Sequence, residues 1–326
     1  MPIKNNQKIQ DNTTLISTVY NNVEYVDEFF DSFLTQTVLP QQVVIVDGGS
    51  LDGTQEKLSK NIIKIKKKGI DAKLFIKKGN RAVGRNYAIE HVTGEVILCT
   101  DFGCELERNW VKTIVWPFTK KSTNIVSGYY KEKGTTVFQK CLASYVLVKE
   151  DNVNAKEFLP SSRSMAFRKS YILSQGGFPE EYSHNEDYVL AQKIKKTSEK
   201  IVFAKNAIVY WIPPKTLAQA FITFFRFALG DSQAGIFRGK VVIIFFRYLL
   251  GISLLFFSIV YKNMFGFSLL LIAVLLYLLW AIGKNYAYVK HPKAVFWLPV
   301  LQVTSDLAVF WGTLIGSTQR LTGTIH

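Results

Sequence analysis

Short apolar runs closed by turn residues recur along the first two-thirds of the chain: TLISTVY, QVVIVDGG, AKLFIKK, EVILCTD and NIVSGYY. Between several of them apolar positions return at helical spacing, as in VEYVDEFFDSFLTQT and RAVGRNYAIEHVTG. Continuous apolar strands alternating with helices predict an α/β domain, a mostly parallel sheet flanked by helices. Ligands of such sheets bind beyond the carboxyl ends of the strands. Three of those ends carry candidate chemistry: Tyr20–Asn22, Asp47–Asp52 and Asp101–Glu105.

From Val241 the pattern changes. Val241–Tyr261, Met264–Gly283 and Ala294–Gly316 are each long and apolar enough to cross a bilayer, which takes ~20 helical residues. The first two are so close in sequence that they predict a tight helical hairpin. Arg238 and Lys240 precede the first segment, and Lys284, Lys290 and Lys293 separate the second from the third. Lys262 and Arg320 are the lone basic residues at the opposite ends. The positive-inside rule then predicts a multi-pass protein of the cytoplasmic membrane with its N-terminal domain on the cytoplasmic side. Trp280, Trp297 and Trp311 fall near span ends, where indole rings favour the interface. Gln302 and Asp306 lie inside the third span. A carboxylate there is costly, so a functional group and a group packed inside the bundle are the two readings. Just before the spans, TLAQAFITFFRFALGDSQAGIF repeats aromatics at helical spacing. It predicts an amphipathic helix on the membrane surface, with Arg226 and Asp231 on the acceptor or membrane side; a buried helix of the preceding domain is the alternative. The resulting division is a flexible N-terminus (1–12), the α/β domain (13–213), an interfacial segment (214–239), transmembrane helices (240–318) and a C-terminal tail (319–326).

Bulk composition changes this picture little. The 326 residues carry a net charge of +15 and are 48% hydrophobic, averages that describe neither half. The basic run KLSKNIIKIKKKGIDAKLFIKK lacks interleaved aromatics for base stacking. With a membrane tail in the same chain, membrane lipids or solvent are better partners for it than nucleic acid. Cys99, Cys104 and Cys141 show neither a paired framework nor CxxC spacing, so reduced thiols and no zinc site are expected. The opening residues lack the apolar core of a signal peptide, so export of the domain is not expected.

The strand ends narrow the chemistry. VVIVDGGSLDGT contains no GxGxxG. Gly48 and Gly53 have the separation of a phosphate loop, but Thr54 stands where its lysine belongs, and Asp47 and Asp52 would repel a triphosphate. An aspartate at this strand end can accept a base N–H or a ribose hydroxyl; local bonds inside the turn are the plain alternative. Asp101 ends the strand EVILCTD. One carboxylate can hold Mg²⁺ when substrate phosphates supply other ligands, whereas Glu105 and Glu107 could simply serve a helix start. NRAVGRNYAIE supplies Arg81 and Arg85, whose guanidinium groups suit a diphosphate. In GGFPEEYSHNEDYVLAQKIKK, Glu186 and Asp187 fall at a helix start. The helix dipole favours acids there anyway, yet a general base can also project from such a position.

In this order, from about Thr14 to Trp211, these segments resemble the family 2 glycosyltransferases of GT-A fold. ISTVYNN looks like that family's first strand and turn, and VVIVDGGSLDGT like its second. NRAVGRNYAIEHVTGEVILCTD resembles the arginine-bearing helix that leads to the acidic strand end, and GGFPEEYSHNEDYVLAQKI the acceptor-side segment. The resemblance implies a GT-A nucleotide-sugar-binding domain, a nucleotide-diphospho-sugar donor and inversion at the anomeric carbon. By matching motif it implies that Thr18, Tyr20 and Asp47 contact the nucleobase and ribose, with Asn22, Gly49, Ser50 and Asp52 in the same binding turns. Arg81 and Arg85 would face the base or diphosphate. Asp101 would begin a DxD-like metal motif, Asp187 would be the catalytic base, and Glu186 would support it. Gly103 stands where the second aspartate belongs, so Mg²⁺ or Mn²⁺ would lean on Asp101, the diphosphate and waters, with Glu105 as a further contributor. No QxxRW sequence is present, which implies single additions rather than polymerisation. The expected protein is a membrane-anchored hexosyltransferase serving a lipid-linked or glycan acceptor in surface-glycan or glycolipid synthesis. An inactive nucleotide-sugar-binding membrane scaffold is the alternative. A transporter ranks last, because the spans hold few polar residues.

Overall fold

The computed structural model describes residues 12–325, so the expected N-terminal tail lies, apart from Asn12, outside the described residues. The chain forms two compact units. One holds the residues up to Lys133 together with Lys149–Ile212; the other holds Gly134–Val148 and everything from Pro213.

The first unit begins with β1 (Thr13–Val19), α1 (Val26–Leu34), β2 (Gln42–Asp47), α2 (Thr54–Lys66), β3 (Asp71–Ile76), α3 (Arg81–Glu90) and β4 (Val96–Cys99). It continues with β5 (Cys104–Leu106), α4 (Trp110–Val115) and β6 (Ile125–Glu132). After the excursion into the second unit come β7 (Met165–Arg168), α6 (Lys169–Ser174), α7 (Glu186–Lys195) and β8 (Val202–Trp211). One sheet runs β3-β2-β1-β4-β7-β6-β8-β5. The pairs β1–β2, β2–β3, β1–β4 and β6–β8 are parallel, and β4–β7, β6–β7 and β5–β8 antiparallel.

The apolar runs form strands because both of their faces find a core. Leu15, Val43, Ile45 and Leu98 pack on one side with Phe29, Phe30 and Phe33 of α1. Ile16, Val44, Val46 and Ile97 pack on the other with Ala82, Ala88 and Ile89 of α3. Fully burying such a side chain contributes about 1.5–3 kcal/mol, and the two-residue alternation fixes the register. β1 lies between β2 and β4, so the chain order reverses beside it, and the strand ends there frame a crevice. Gly84 lets α3 approach this point: a Cβ on it would sit 2.8 Å from Thr18 Cγ2.

The second unit contains α5 (Val137–Val146), α8 (Leu217–Gln233), α9 (Gly239–Val260), α10 (Met264–Val289) and α11 (Ala294–Thr322). The last three are long and apolar enough to cross a membrane. The third continues past the expected Gly316 to Thr322 and stops at Gly323, whose φ of 68° is left-handed. Where the sequence predicts a helix on a surface, α8 packs along α11. Ala220, Phe224 and Ala308 are buried together, and Gly312 and Gly316 admit the α8 backbone. A Cβ on Gly312 would meet Phe225 O at 2.6 Å, and one on Gly316 would meet Leu229 O at 2.6 Å. Small residues four apart permit this approach. Gly312→Ala is therefore expected to destabilise the protein by about 1–3 kcal/mol, read as a lower Tm in detergent; an unchanged Tm would mean the helices are not this close.

Arg226 is exposed on α8, and Asp231 is buried and paired with Arg238. Asp306 is fully buried and accepts from Arg247 (2.7 Å), Tyr248 (3.1 Å) and Gln302 (3.0 Å), and from Tyr277. Its carboxylate is thus satisfied inside the bundle. The three cysteines are buried and free of disulfides.

Candidate active site

The turn after β2 is held from within. Asp47 is fully buried, and its carboxylate accepts the N–H groups of Gly49 and Ser50 (2.8 Å each), the Ser50 hydroxyl (2.6 Å) and the Gln55 amide (3.0 Å). Asp52 likewise accepts the Thr54 N–H at 3.1 Å and the Val23 N–H at 3.1 Å. Ser50 Oγ and Thr54 Oγ1 receive the N–H groups of Asn21 and Asn22 at 2.8 and 2.9 Å, which ties the turn to the end of β1. Gly49 and Gly53 take φ of 95° and 90°, a backbone that favours glycine. Asp47, Ser50 and Asp52 therefore shape this turn. What faces outward is Tyr20, 63% exposed, whose ring lies against Gly48, and the backbone of Gly48 and Gly49. Thr18 is half-buried beside them, as is Asn22.

The arginines of α3 part company. Arg81 is exposed and forms no ion pair among the described residues. Arg85 is 1% exposed and bridges two carboxylates, Asp101 at 2.8 Å and Glu186 more closely still. Its guanidinium also lies 5.2 Å from the Phe178 ring centre. Asn86 on the same helix receives the Phe178 N–H and donates to the Phe178 carbonyl, both at 2.8 Å. That grip brings the GGFPEEY segment, and the helix after it, to the end of β4.

At the start of α7, Asn185 adopts a φ of 60°, which asparagine tolerates better than most residues. Glu186 then points inward to Arg85, and Asp187 turns to the loop before β7. Asp187 Oδ2 accepts the Ser161 hydroxyl (3.1 Å), the Ser162 N–H (2.9 Å) and the Ser162 hydroxyl (3.0 Å). Its Oδ1 accepts the Tyr188 N–H at 2.8 Å and keeps a second lone pair. The Ser162 hydroxyl also lies 3.0 Å from Asp101 Oδ2. One hydroxyl proton thus stands between two carboxylates that are 86 positions apart in the chain. Ser161 and Ser162 are not among the candidates that the sequence offers; their only signal is a polar Pro-Ser-Ser-Arg-Ser run directly before an apolar strand.

Three arginines set the charge of this cluster. Burial pushes the Asp101 carboxyl up, but Arg85, with Arg81 and Arg163, outweighs it and holds the group below the usual carboxylate range. Burial wins at Glu186, where Arg85 offsets it only in part and the carboxyl lies above its ordinary value. Arg85 stays charged, because Asp101 and Glu186 outweigh its own burial.

A metal ion would find few protein ligands. No three His, Cys, Asp or Glu side chains come together among the described residues. Gly103 offers no side chain, and Glu105 pairs with Lys133. Asp101 remains, 28% exposed and oriented by Arg85 and Ser162, with lone pairs to spare. Mg²⁺ accepts one carboxylate when phosphates and waters complete its shell. The residues present fit an ion that arrives with a phosphorylated substrate.

Residues 14–174 match the family described as Glycosyl transferase family 2. Glycosyltransferase GlyA of Streptococcus pneumoniae is 26% identical over 243 residues, 69% of this chain and 34% of that protein. O-antigen chain rhamnosyltransferase RfbN of Salmonella typhimurium is 26% identical over 208 residues, 60% of this chain and 65% of RfbN. The chain thus spans about a third of the length of the first relative and just under two thirds of the second. Among solved structures, mannosyltransferase PcManGT from Pyrobaculum calidifontis, in complex with GDP-Man and Mn²⁺, superposes with a TM-score of 0.62 at 16% identity, over 92% of this chain and 87% of that one. That likeness is one of fold, the GT-A fold. Asp47, Asp101 and Ser162 fall within the residues that match the family, and Glu186 and Asp187 fall after them. Residues 14–174 thus form a glycosyl transferase family 2 domain, and the fold that carries them is the GT-A fold.

Proposed function

We propose that this chain is a membrane-anchored, inverting glycosyltransferase of hexosyl type. It moves a sugar from a nucleotide-diphospho-sugar to a lipid-linked or glycan acceptor in cell-surface glycan or glycolipid synthesis. The observation that carries the reading is the Ser162 hydroxyl, 3.0 Å from both Asp101 and Asp187. It joins a donor-side carboxylate at the switch point of the sheet to a second carboxylate with an open lone pair.

In this reading the nucleobase lies against Tyr20 and the Gly48–Gly49 backbone, and Arg81 meets the diphosphate. Asp187 Oδ1 takes the proton of the acceptor hydroxyl as its oxygen attacks the anomeric carbon. The new C–O bond forms while the bond from carbon to phosphate oxygen breaks, and the nucleoside diphosphate leaves with that electron pair. A single displacement inverts the centre. Asp101 would hold Mg²⁺ or Mn²⁺ together with diphosphate oxygens, and such an ion supplies positive charge against the leaving group. Glu186 acts through Arg85, holding it in place against Asp101.

Three helices apolar enough to cross a membrane support the anchor. The basic residues that flank them support a catalytic domain on the cytoplasmic side, in reach of membrane lipids and a lipid-borne acceptor. Purified protein is expected to release nucleoside diphosphate from one class among UDP-, GDP- and dTDP-sugars, given membrane-lipid extract and Mg²⁺ or Mn²⁺. Folded protein that binds nucleotide but releases none would favour the scaffold.

Ser162→Ala removes the shared hydroxyl but keeps the backbone N–H on Asp187. Turnover is expected to fall about tenfold, the loss of one hydrogen bond to a charged group, with donor KM within about twofold. Equal losses in kcat and donor affinity would mean that Ser162 serves the donor alone.

A further inference from the structure

Arg163 is an arginine of this site without a carboxylate of its own. Its backbone is fixed on both sides. Thr100 Oγ1 donates to the Arg163 carbonyl at 2.9 Å, and the Ser162 N–H donates to Asp187 at 2.9 Å. Its guanidinium lies 5.6 Å from the ring centre of Tyr130 and 5.4 Å from that of Trp211. Tyr130 belongs to β6 and Trp211 ends β8, and rings at these distances attract the cation without occupying its N–H donors. The side chain is half-buried and forms no ion pair among the described residues. Arg85, in contrast, is taken up by two carboxylates. Arg163 also stands close enough to Asp101 to help keep that carboxyl ionised.

A half-buried guanidinium has given up part of its water and keeps a planar fork of donors with no anion to fill it. That fork matches a phosphate better than it matches any neutral group. A purely structural contact with the two rings would need the flat group but not its charge, and the two roles separate experimentally.

We propose that Arg163 is a phosphate-binding residue of this site, holding a phosphoryl oxygen of the donor diphosphate or of a phosphate on a lipid-borne acceptor. The inference rests on the glycosyltransferase reading for the identity of its ligand, and its test needs no turnover. Full-length protein in detergent, as wild type, Arg163→Ala, Arg163→Gln and Arg163→Lys, is titrated with UDP, GDP and dTDP and with the matching nucleosides. Polyprenyl phosphate and polyprenol are compared by native mass spectrometry.

Arg163→Ala and Arg163→Gln are expected to weaken one phosphate-bearing probe about 10- to 100-fold, the loss of one or two charge-assisted hydrogen bonds, while its phosphate-free counterpart binds as before. Arg163→Lys restores part of the loss, because it returns the charge without the fork. A loss confined to nucleoside diphosphates assigns the donor, and one confined to polyprenyl phosphate assigns the acceptor. Two results overturn the inference: folded variants that bind every probe like wild type, or a wild type that does not prefer either phosphate-bearing probe to its counterpart. Arg163→Gln keeps a flat group beside the rings, so the test survives if Arg163→Ala does not fold. Intact turnover without a binding effect sinks this inference alone. A binding effect in a protein that transfers no sugar sinks only the proposed function.

Discussion

Asp187→Asn is expected to lower sugar transfer about 100- to 10,000-fold, the range that a positioned general base contributes. Nucleoside-diphosphate binding should stay within about twofold of wild type. The amide keeps the shape of the side chain, and its oxygen can still receive the Ser161 and Ser162 donors that hold Oδ2. What it lacks is a basic lone pair at the Oδ1 position to take the acceptor proton. Steady-state rates set beside calorimetric binding of the nucleoside diphosphate separate these effects. Turnover near wild type would remove Asp187 from the mechanism. Loss of turnover and binding together would mean that the start of α7 shapes the donor site instead.

The other large effect belongs to Arg85. Its side chain is buried and paired with both Asp101 and Glu186. Removing one member of a buried ion pair strands the others, at a cost of about 3–5 kcal/mol. Arg85→Ala is expected to show this loss in denaturant unfolding of the first unit within the full chain, and to abolish transfer, since Asp101 and Glu186 lose their common partner. Arg85→Lys should recover little, because one ammonium lacks the fork that reaches two carboxylates. The pH dependence carries a sign. Asp101 has its folded value below the usual carboxylate range. Its contribution is therefore present above that range and lost as the pH falls through the folded value. Glu186, with its value raised, runs the other way: burial of its charged form weighs against the fold as the pH rises through that value. Arg85→Ala should lose most of the acid-side dependence at Asp101. A variant as stable as wild type would contradict the buried bridge.

The strands from β1 to β4 and the helix α3 were legible because each apolar run serves two core faces, and a run of that kind has few alternatives. Their carboxyl ends were legible for the same reason, and with them the places of Tyr20 and Asp101 just beyond β1 and β4. Arg85 shows where local pattern stops. It lies one helical turn from Arg81 and looks equivalent in sequence, yet the chain brings Glu186 to it from 101 positions away. Asp47 shows a second limit. Both a ligand contact and a self-contained turn are open to an aspartate before Gly-Gly-Ser, and only the positions of the Gly49, Ser50 and Gln55 donors reveal that the turn itself holds the carboxylate through Oδ1. Ser161, Ser162 and Arg163 escaped notice because they occupy a loop whose meaning comes from β4 and α7, elements distant in the chain. Residues 134–148 are a similar case. Nothing in VFQKCLASYV marks it as part of the helical unit, but its buried Phe138, Cys141 and Leu142 share a core with Leu298 and Leu301.

The reaction proposed for this protein is transfer of a sugar from a nucleotide-diphospho-sugar by way of Asp187. Its most direct test follows a radiolabelled donor sugar into the organic-extractable fraction of native membrane lipids, with wild type and Asp187→Asn side by side. Label in a lipid product is expected for wild type and almost none for the variant. Equal labelling by both proteins, or label that reaches only free sugar, would contradict it.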